Sequence, residues 1–166
     1  MAAEGGGQGI KIIEHPNREK PESKAMKAAV VLLMIATVAD LVIITIAGWK
    51  VEESARVFQI PYMIVYLIIA WYVWNWNRGL LPIAAAFAIL LLIFAAVASP
   101  TWFDRTKDGY ADASLPAGLL GTLTVIVIPL QALLIYCAMK AFGQGWNIEV
   151  ERWETAPGGR PAEAAA

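Results

Sequence analysis

The sequence predicts an all-α integral membrane protein: a four-span antiparallel bundle of transmembrane helices with both termini in the cytoplasm. The chain of 166 residues is 58% hydrophobic and only 16% charged, whereas a soluble domain carries about 25% charged residues. Four apolar runs are each long enough to cross a hydrocarbon core of about 30 Å. The connections between them are short, so consecutive spans are expected to run in opposite directions.

The first predicted span, about residues 26–49, is apolar almost throughout, and Asp40 is its one interior ionisable residue. Lys24 and Lys27 lie at one end and Trp49 at the other, as expected for side chains that anchor at the two membrane interfaces. A charged aspartate at the centre of a membrane helix costs about 2.5–3.5 kcal/mol on insertion scales, so Asp40 is expected to face protein or water.

Three further spans follow, at about residues 57–76, 80–99 and 116–142. Span three is rich in alanine, and small residues let helix backbones approach closely in lipid. Span four contains Pro129 and Gln131. The proline is expected to kink the helix. Together the two residues indicate either a broken helix that lines a cavity or, more commonly, a kinked helix whose freed backbone groups form hydrogen bonds with neighbouring groups.

Polar tails flank this transmembrane domain of residues 25–143. Residues 1–24 are predicted to be disordered, with a short strand that orders on a partner as the alternative. Residues 144–166 form a polar tail in which residues 146–153 alternate like one strand. Nine of the 13 lysines and arginines fall on the side of the tails. This bias predicts cytoplasmic termini, and we expect a bacterial cytoplasmic membrane.

Asp40 is predicted to belong to an intramembrane polar cluster. Tyr66 and Thr124 lie at a similar depth in spans two and four, and Thr122 lies slightly nearer the surface. Because no lysine or arginine lies in the interior of the spans, hydroxyl groups are the expected partners of the carboxyl group. One interpretation is a proton or cation site in a transport path. The favoured one is a neutral carboxylic acid that holds helix packing, because one acidic residue without a relay is thin evidence for transport.

Tryptophans cluster at the predicted ends of the spans, where their amphipathic rings favour the membrane interface. Interface anchoring is the favoured interpretation. The alternative is that these rings, with Tyr62 and Tyr66, line a groove for lipid, quinone or carotenoid. The predicted anchors are Trp49, Trp71, Trp74, Trp76, Trp102 and Trp146.

Metal and redox chemistry find little support in the sequence. Asp104, Asp108 and Asp112 recur every four residues in the longest connection, but they do not match a calcium-binding loop, so a solvated loop is favoured. The single Cys137 and the single His15 provide neither an internal disulfide nor a histidine-ligated haem or copper site inside the membrane. We therefore expect no metal and no intrinsic cofactor.

The function expected from these features is a non-catalytic accessory or scaffold subunit of a larger membrane complex, with an energy-converting complex as one plausible host. Small-residue helix faces would pack the spans, and a groove would hold lipid or a hydrophobic cofactor. The expected partners are other membrane subunits and the bilayer, and the net charge of −1 does not favour nucleic acid. The alternative is a small oligomeric channel or a proton-coupled transporter that uses Asp40. An enzyme is disfavoured, since no catalytic motif is present.

Overall fold

The structure, a computed structural model, describes residues 10–51, 53–107 and 112–154. These residues form two short strands, one short helix and four long helices, in the order β1 (Ile10–Glu14), α1 (Pro16–Glu19), α2 (Pro21–Ala47), α3 (Glu53–Trp74), α4 (Leu80–Asp104), α5 (Ala117–Gly143) and β2 (Val150–Glu154). The four long helices are long and apolar enough to cross a membrane. The prediction of four apolar helical spans is confirmed.

The helices α2 and α4 extend several residues beyond the predicted spans. α2 begins earlier, at Pro21, because proline fits the first turn of a helix, where its missing N–H has no intrahelical acceptor. α4 continues through Pro100 to Asp104 instead of ending before the proline. The added turn buries Trp102 beside Leu120 of α5, and burial of a large ring offsets the backbone hydrogen bond that Pro100 cannot donate.

α4 packs against α5 through small residues. The alanines on the inner face of α4 are buried within the chain, namely Ala84, Ala85, Ala88 and Ala95. Nearer the end of α4, the ring of Phe103 lies so close to Gly121 that a Cβ atom there would come within 2.9 Å of Phe103 Cζ. The small-residue face predicted for span three is therefore used inside this protein, where it allows two helix backbones to approach closely.

Contacts between helices define two ends of the molecule. At one end, Lys27 of α2 donates to the carbonyl oxygen of Trp74 at the end of α3 (3.3 Å). At the other end, Thr45 Oγ1 of α2 donates to Gln59 Oε1 near the start of α3 (2.8 Å). We call the first the terminal end, because α1 and the segment after α5 lie there, and the second the groove end. α2 packs on α3 and α5, whereas the consecutive helices α3 and α4 contact each other little.

The two strands pair with each other in an antiparallel ribbon, with Ile10 opposite Glu154 and Glu14 opposite Val150. Residues 10–24 thus differ from the disorder predicted for residues 1–24, because they form β1, α1 and the first turn of α2. The alternative prediction, a short strand in each tail that pairs with a partner, agrees better with the structure. The partner of each strand is the strand of the other tail. The sequence could not identify this partner. An alternating pattern of five residues indicates that a segment can form a strand, but an isolated strand is not stable and its pattern does not say which other strand it pairs with.

Side-chain hydrogen bonds close the terminal end over the last carbonyl groups of α5 and the turn that follows. Arg78 Nε donates to the Phe142 carbonyl oxygen (2.7 Å). Asn17 Nδ2 donates to that of Gly145 (3.0 Å), and Arg18 Nε donates to that of Trp146 (2.9 Å). A helix leaves its last carbonyl groups without intrahelical partners, and cations there also complement the helix dipole.

Candidate functional site

Three polar side chains meet in the core and join three helices. Tyr66 Oη of α3 donates to Gln131 Oε1 of α5 (2.7 Å). Gln131 Nε2 donates to Thr37 Oγ1 of α2 (2.9 Å), and Thr37 Oγ1 donates to the Leu33 carbonyl oxygen one turn earlier (2.8 Å). All three side chains of this polar triad are 0% exposed. The chain of donors and acceptors ends on the backbone of α2, so the buried hydroxyl and amide groups find partners.

Helical spacing explains how Thr37 comes to face the core. The buried residues of α2 recur every three or four positions, as in Val30, Met34, Thr37, Leu41 and Ile44, which is the period of one face of an α-helix. Threonine is short enough to occupy this face without separating the helices. Its hydroxyl group then supplies an acceptor for the buried amide of Gln131.

Asp40 lies one turn beyond Thr37 and is 8% exposed. Its Oδ2 atom is buried and has no hydrogen-bond partner among the residues that the structure describes. The sequence predicts Tyr66 or a threonine hydroxyl as the partner of this carboxyl group. Tyr66 instead donates to Gln131, so the predicted bond from Tyr66 to Asp40 is wrong.

The two threonines predicted near the depth of Asp40 also bond elsewhere. Thr124 is buried, and its Oγ1 atom donates to the Leu120 carbonyl oxygen of its own helix (2.8 Å). Thr122 is exposed and donates in the same way to Gly118 (2.9 Å). The hydroxyl groups of Tyr66, Thr124 and Thr122 thus go to acceptors other than the Asp40 carboxyl group.

Pro129 and Gln131 have separate surroundings in the structure. Pro129 is exposed inside α5, and α5 is one helix from Ala117 to Gly143. Gln131 is fully buried and forms the centre of the polar triad. Of the two interpretations from sequence, the arrangement fits a continuous helix with a buried amide better than a broken helix.

The predicted interface tryptophans differ in exposure. Trp49, Trp71 and Trp74 are 49%, 67% and 54% exposed, as a ring that reaches the membrane interface must be. Trp102 and Trp146 are buried, at 1% and 0% exposed. The location of these two rings differs from the predicted one. They lie inside the protein, where each packs against other residues of the same chain.

Trp146 and the half-buried Trp76 form the centre of the terminal end. Their rings meet edge to face with centroids 5.2 Å apart, and the ammonium group of Lys27 lies 4.0 Å from the Trp76 ring centroid. Trp76 has a φ of 65°, a left-handed conformation that is rare for a bulky residue. Such a conformation persists when the surrounding contacts hold it, and these two contacts do so here.

An apolar groove opens toward the other end, between α3 and α4. Its cavity volume is about 540 Å³, within the range of about 300–1,000 Å³ typical of small-molecule sites. It extends from Tyr62 to Trp102 and is lined mainly by aliphatic and aromatic side chains. Tyr62 Oη donates to the Phe87 carbonyl oxygen of α4, which closes the deep end of the groove.

Two arginines lie near the opposite, outer limit of this groove. The Cζ atom of Arg56 is 4.4 Å from the ring centroid of Trp49, and Arg56 directly follows Ala55, which lines the groove. The Cζ atom of Arg105 is 5.7 Å from the ring centroid of Trp102, and its Nη2 atom donates to the Val51 carbonyl oxygen (3.3 Å). The groove itself is lined by apolar side chains along its length, and the two arginines lie beside this lining rather than in it.

The aspartates at the end of α4 and in the connection to α5 do not assemble a metal site in the described part of the chain. Asp104 pairs with Lys107 at 2.6 Å, Asp112 is exposed, and Asp108 lies outside the described residues. Nowhere in residues 10–51, 53–107 and 112–154 do three or more histidine, cysteine, aspartate or glutamate side chains converge as a metal site requires.

Thr37 and Gln59 are two candidate residues that the sequence did not single out. Thr37 carries no charge, so hydropathy alone does not mark it, and Gln59 lies near the start of its helix, where polar residues are common. The available signal for Thr37 was its position on the buried face of α2, together with the isolated amide of Gln131 on α5. Sequence periodicity identifies such a face, but it does not say which polar side chain on another helix will meet it.

Comparison with protein-family models, with curated proteins and with solved structures finds no match to this chain.

Proposed function

We propose that the protein is a non-catalytic accessory or scaffold subunit of a larger membrane complex, and that its four long helices form an antiparallel bundle in the membrane with both termini in the cytoplasm. The length and apolar composition of the helices support the membrane setting. The excess of lysine and arginine on the side of the terminal end supports the orientation.

The polar triad is the observation that carries the scaffold role. Tyr66, Gln131 and Thr37 use their polar atoms to join α3, α5 and α2 at one level. Hydrogen bonds between membrane helices contribute about 0.6 kcal/mol each on average, and a connected set fixes the relative rotation of the helices as well as their distance. This arrangement suits a subunit that presents a constant surface to its neighbours.

The test is extraction of the native membrane in a mild detergent, followed by affinity purification through a tag placed after Ala166 and identification of the bound proteins by mass spectrometry. We expect a set of membrane proteins at fixed stoichiometry. Untagged membranes extracted in the same way are the control. A small homogeneous oligomer of this chain without other proteins would contradict the proposal.

A proton-coupled transporter or channel is the second candidate, and Asp40 is the observation that favours it. Its buried Oδ2 atom has no hydrogen-bond partner among the described residues, and ionisable residues inside membrane helices often mark ion pathways. The test is pH-dependent flux in proteoliposomes, with Asp40→Asn compared with Asp112→Asn, which changes an exposed aspartate. Loss of flux in Asp40→Asn alone would favour transport, and equal behaviour of both variants would favour the scaffold.

A further inference from the structure

The first two turns of α3, residues 53–60, form one wall of the groove. Phe58 and Gln59 belong to these turns and line the cavity from the side of α3. The wall formed by α4 includes Ala95 and Ala98, whose small side chains let another helix approach closely. We call residues 53–60 the lid, because their position relative to α4 sets the width of the groove.

Pro61 separates the lid from the rest of α3. It lies inside the helix, and because proline has no backbone N–H, it cannot donate the helical hydrogen bond to the Val57 carbonyl oxygen. Sharp bends in helices occur mainly at such positions. The next residue, Tyr62, donates to the Phe87 carbonyl oxygen of α4 and so holds α3 directly beyond the proline. A bend at Pro61 would therefore move the lid and leave the deep end of the groove in place.

Two contacts hold the lid on the side of α2. Thr45 Oγ1 of α2 donates to Gln59 Oε1 (2.8 Å), and the Cζ atom of Arg56 lies 4.4 Å from the ring centroid of Trp49. Both contacts join the lid to α2 or to the turn that follows it, whereas the groove separates the lid from α4. They hold the lid in the position in which the groove is open.

We propose that the lid is a movable element, which bends at Pro61 and closes on α4 when the hydrogen bond between Thr45 and Gln59 is broken. The ring of Phe58 then packs on the small side chains of α4, and the groove loses much of its volume. Hydrogen bonds between membrane helices are individually weak, so the loss of one is enough to shift the position of two helical turns. The inference goes beyond the proposed function and rests on the fold, so it does not depend on whether the protein belongs to a complex.

The test is pulsed electron double resonance between two nitroxide labels on the purified full chain in lipid nanodiscs, with Cys137→Ala to remove the native thiol. One label is placed on the lid at Val57→Cys and the other on α4 at Ala96→Cys. Both positions are exposed, and neither lines the groove. Val57 lies about 6 Å from Pro61 along the helix, so a bend of about 20° moves it by about 2 Å. Thr45→Val should shorten the mean distance between the labels by up to about this amount.

Further variants locate the motion. Gln59→Met removes the acceptor of the same hydrogen bond and should shorten the distance as Thr45→Val does. A label at Ile64→Cys, beyond the proline, should keep its distance to the label on α4. Pro61→Ala restores a backbone donor and, combined with Thr45→Val, should reverse the shortening. Pro129→Ala, which changes an exposed proline inside α5, should not reverse it.

Each of three results would overturn the proposal. The first is an unchanged or longer distance from the lid to α4 in both Thr45→Val and Gln59→Met. The second is an equal shortening from the label at Ile64→Cys, which would mean that α3 moves as a whole. The third is a reversal by Pro129→Ala as large as that by Pro61→Ala, which would mean that the bend is not located at the lid.

Discussion

The terminal end and the groove end use the same kinds of side chain to different effect. At the terminal end, Trp146 packs on Trp76, and Arg78 and Arg18 donate to backbone carbonyl groups, so the space between the helices is filled. At the groove end, Trp102 lines a cavity of about 540 Å³. Described segments from both tails cover the first end, whereas the groove separates α3 from α4 toward the second.

The difference shows what decides whether an aromatic and cationic cluster closes a helix bundle or leaves it open. Arginine stabilises a closed end when carbonyl groups without intrahelical partners lie within reach. The turn after α5 provides such groups at the terminal end. At the groove end, Arg105 also donates to a carbonyl group, that of Val51, but the described tail segments lie at the other end, so the space between α3 and α4 stays open.

The largest expected effect comes from the buried tryptophans of the two ends. Trp146→Ala should lower the free energy of unfolding by about 3 to 5 kcal/mol, the usual loss for a buried tryptophan. Trp102→Ala should lower it less, near the lower limit of this range at about 3 kcal/mol, because part of its ring borders the groove instead of packed side chains. Denaturant titration in detergent micelles, followed by circular dichroism, measures both. Equal losses of unfolding free energy in the two variants would contradict the proposed difference in packing between the two ends.

Removal of the central amide should have the next largest effect. Gln131→Leu leaves the Tyr66 hydroxyl group without its acceptor and Thr37 without its donor, and should lower the free energy of unfolding by about 2 kcal/mol. The same titration measures the change. Stability equal to that of the unaltered protein would show that the polar triad does not hold the helices together.

A matched pair of threonine variants isolates one bond of the triad. Thr37→Val removes the acceptor of the Gln131 amide and should cost about 1 kcal/mol. Thr122→Val removes an exposed hydroxyl group that donates within α5, and should change the free energy of unfolding by less than about 0.5 kcal/mol. If the two variants change the free energy of unfolding equally, the hydrogen bond between Gln131 and Thr37 adds no stability of its own.

The smallest expected effect is that of Asp40→Leu. The buried Oδ2 atom has no hydrogen bond to lose among the described residues, and burial of a polar group without a partner is unfavourable. The free energy of unfolding should stay unchanged or rise by up to about 1 kcal/mol. A clear loss of stability, measured in the same titration, would mean that Asp40 makes a stabilising contact.

Much of the fold could be predicted from particular residues. The four apolar runs predict four helices because the length of such a run is a property of the sequence itself. Asp40 and Gln131 stood out because each is polar in an apolar surrounding. The partner of Tyr66 could not be predicted in this way, because counting residues from the ends of spans gives depth but not the direction in which a side chain points around the helix axis.

The sequence by itself determined the number of long helices, their apolar character and the polar residues inside them. Only the tertiary structure decided that Tyr66 meets Gln131 rather than Asp40, that the two tails pair as a ribbon, and that Trp102 and Trp146 are buried. The physical reason is that these features depend on the rotation and packing of helices that are distant in sequence. Apolar length is set locally, but side-chain partners are set by the contacts of the folded chain.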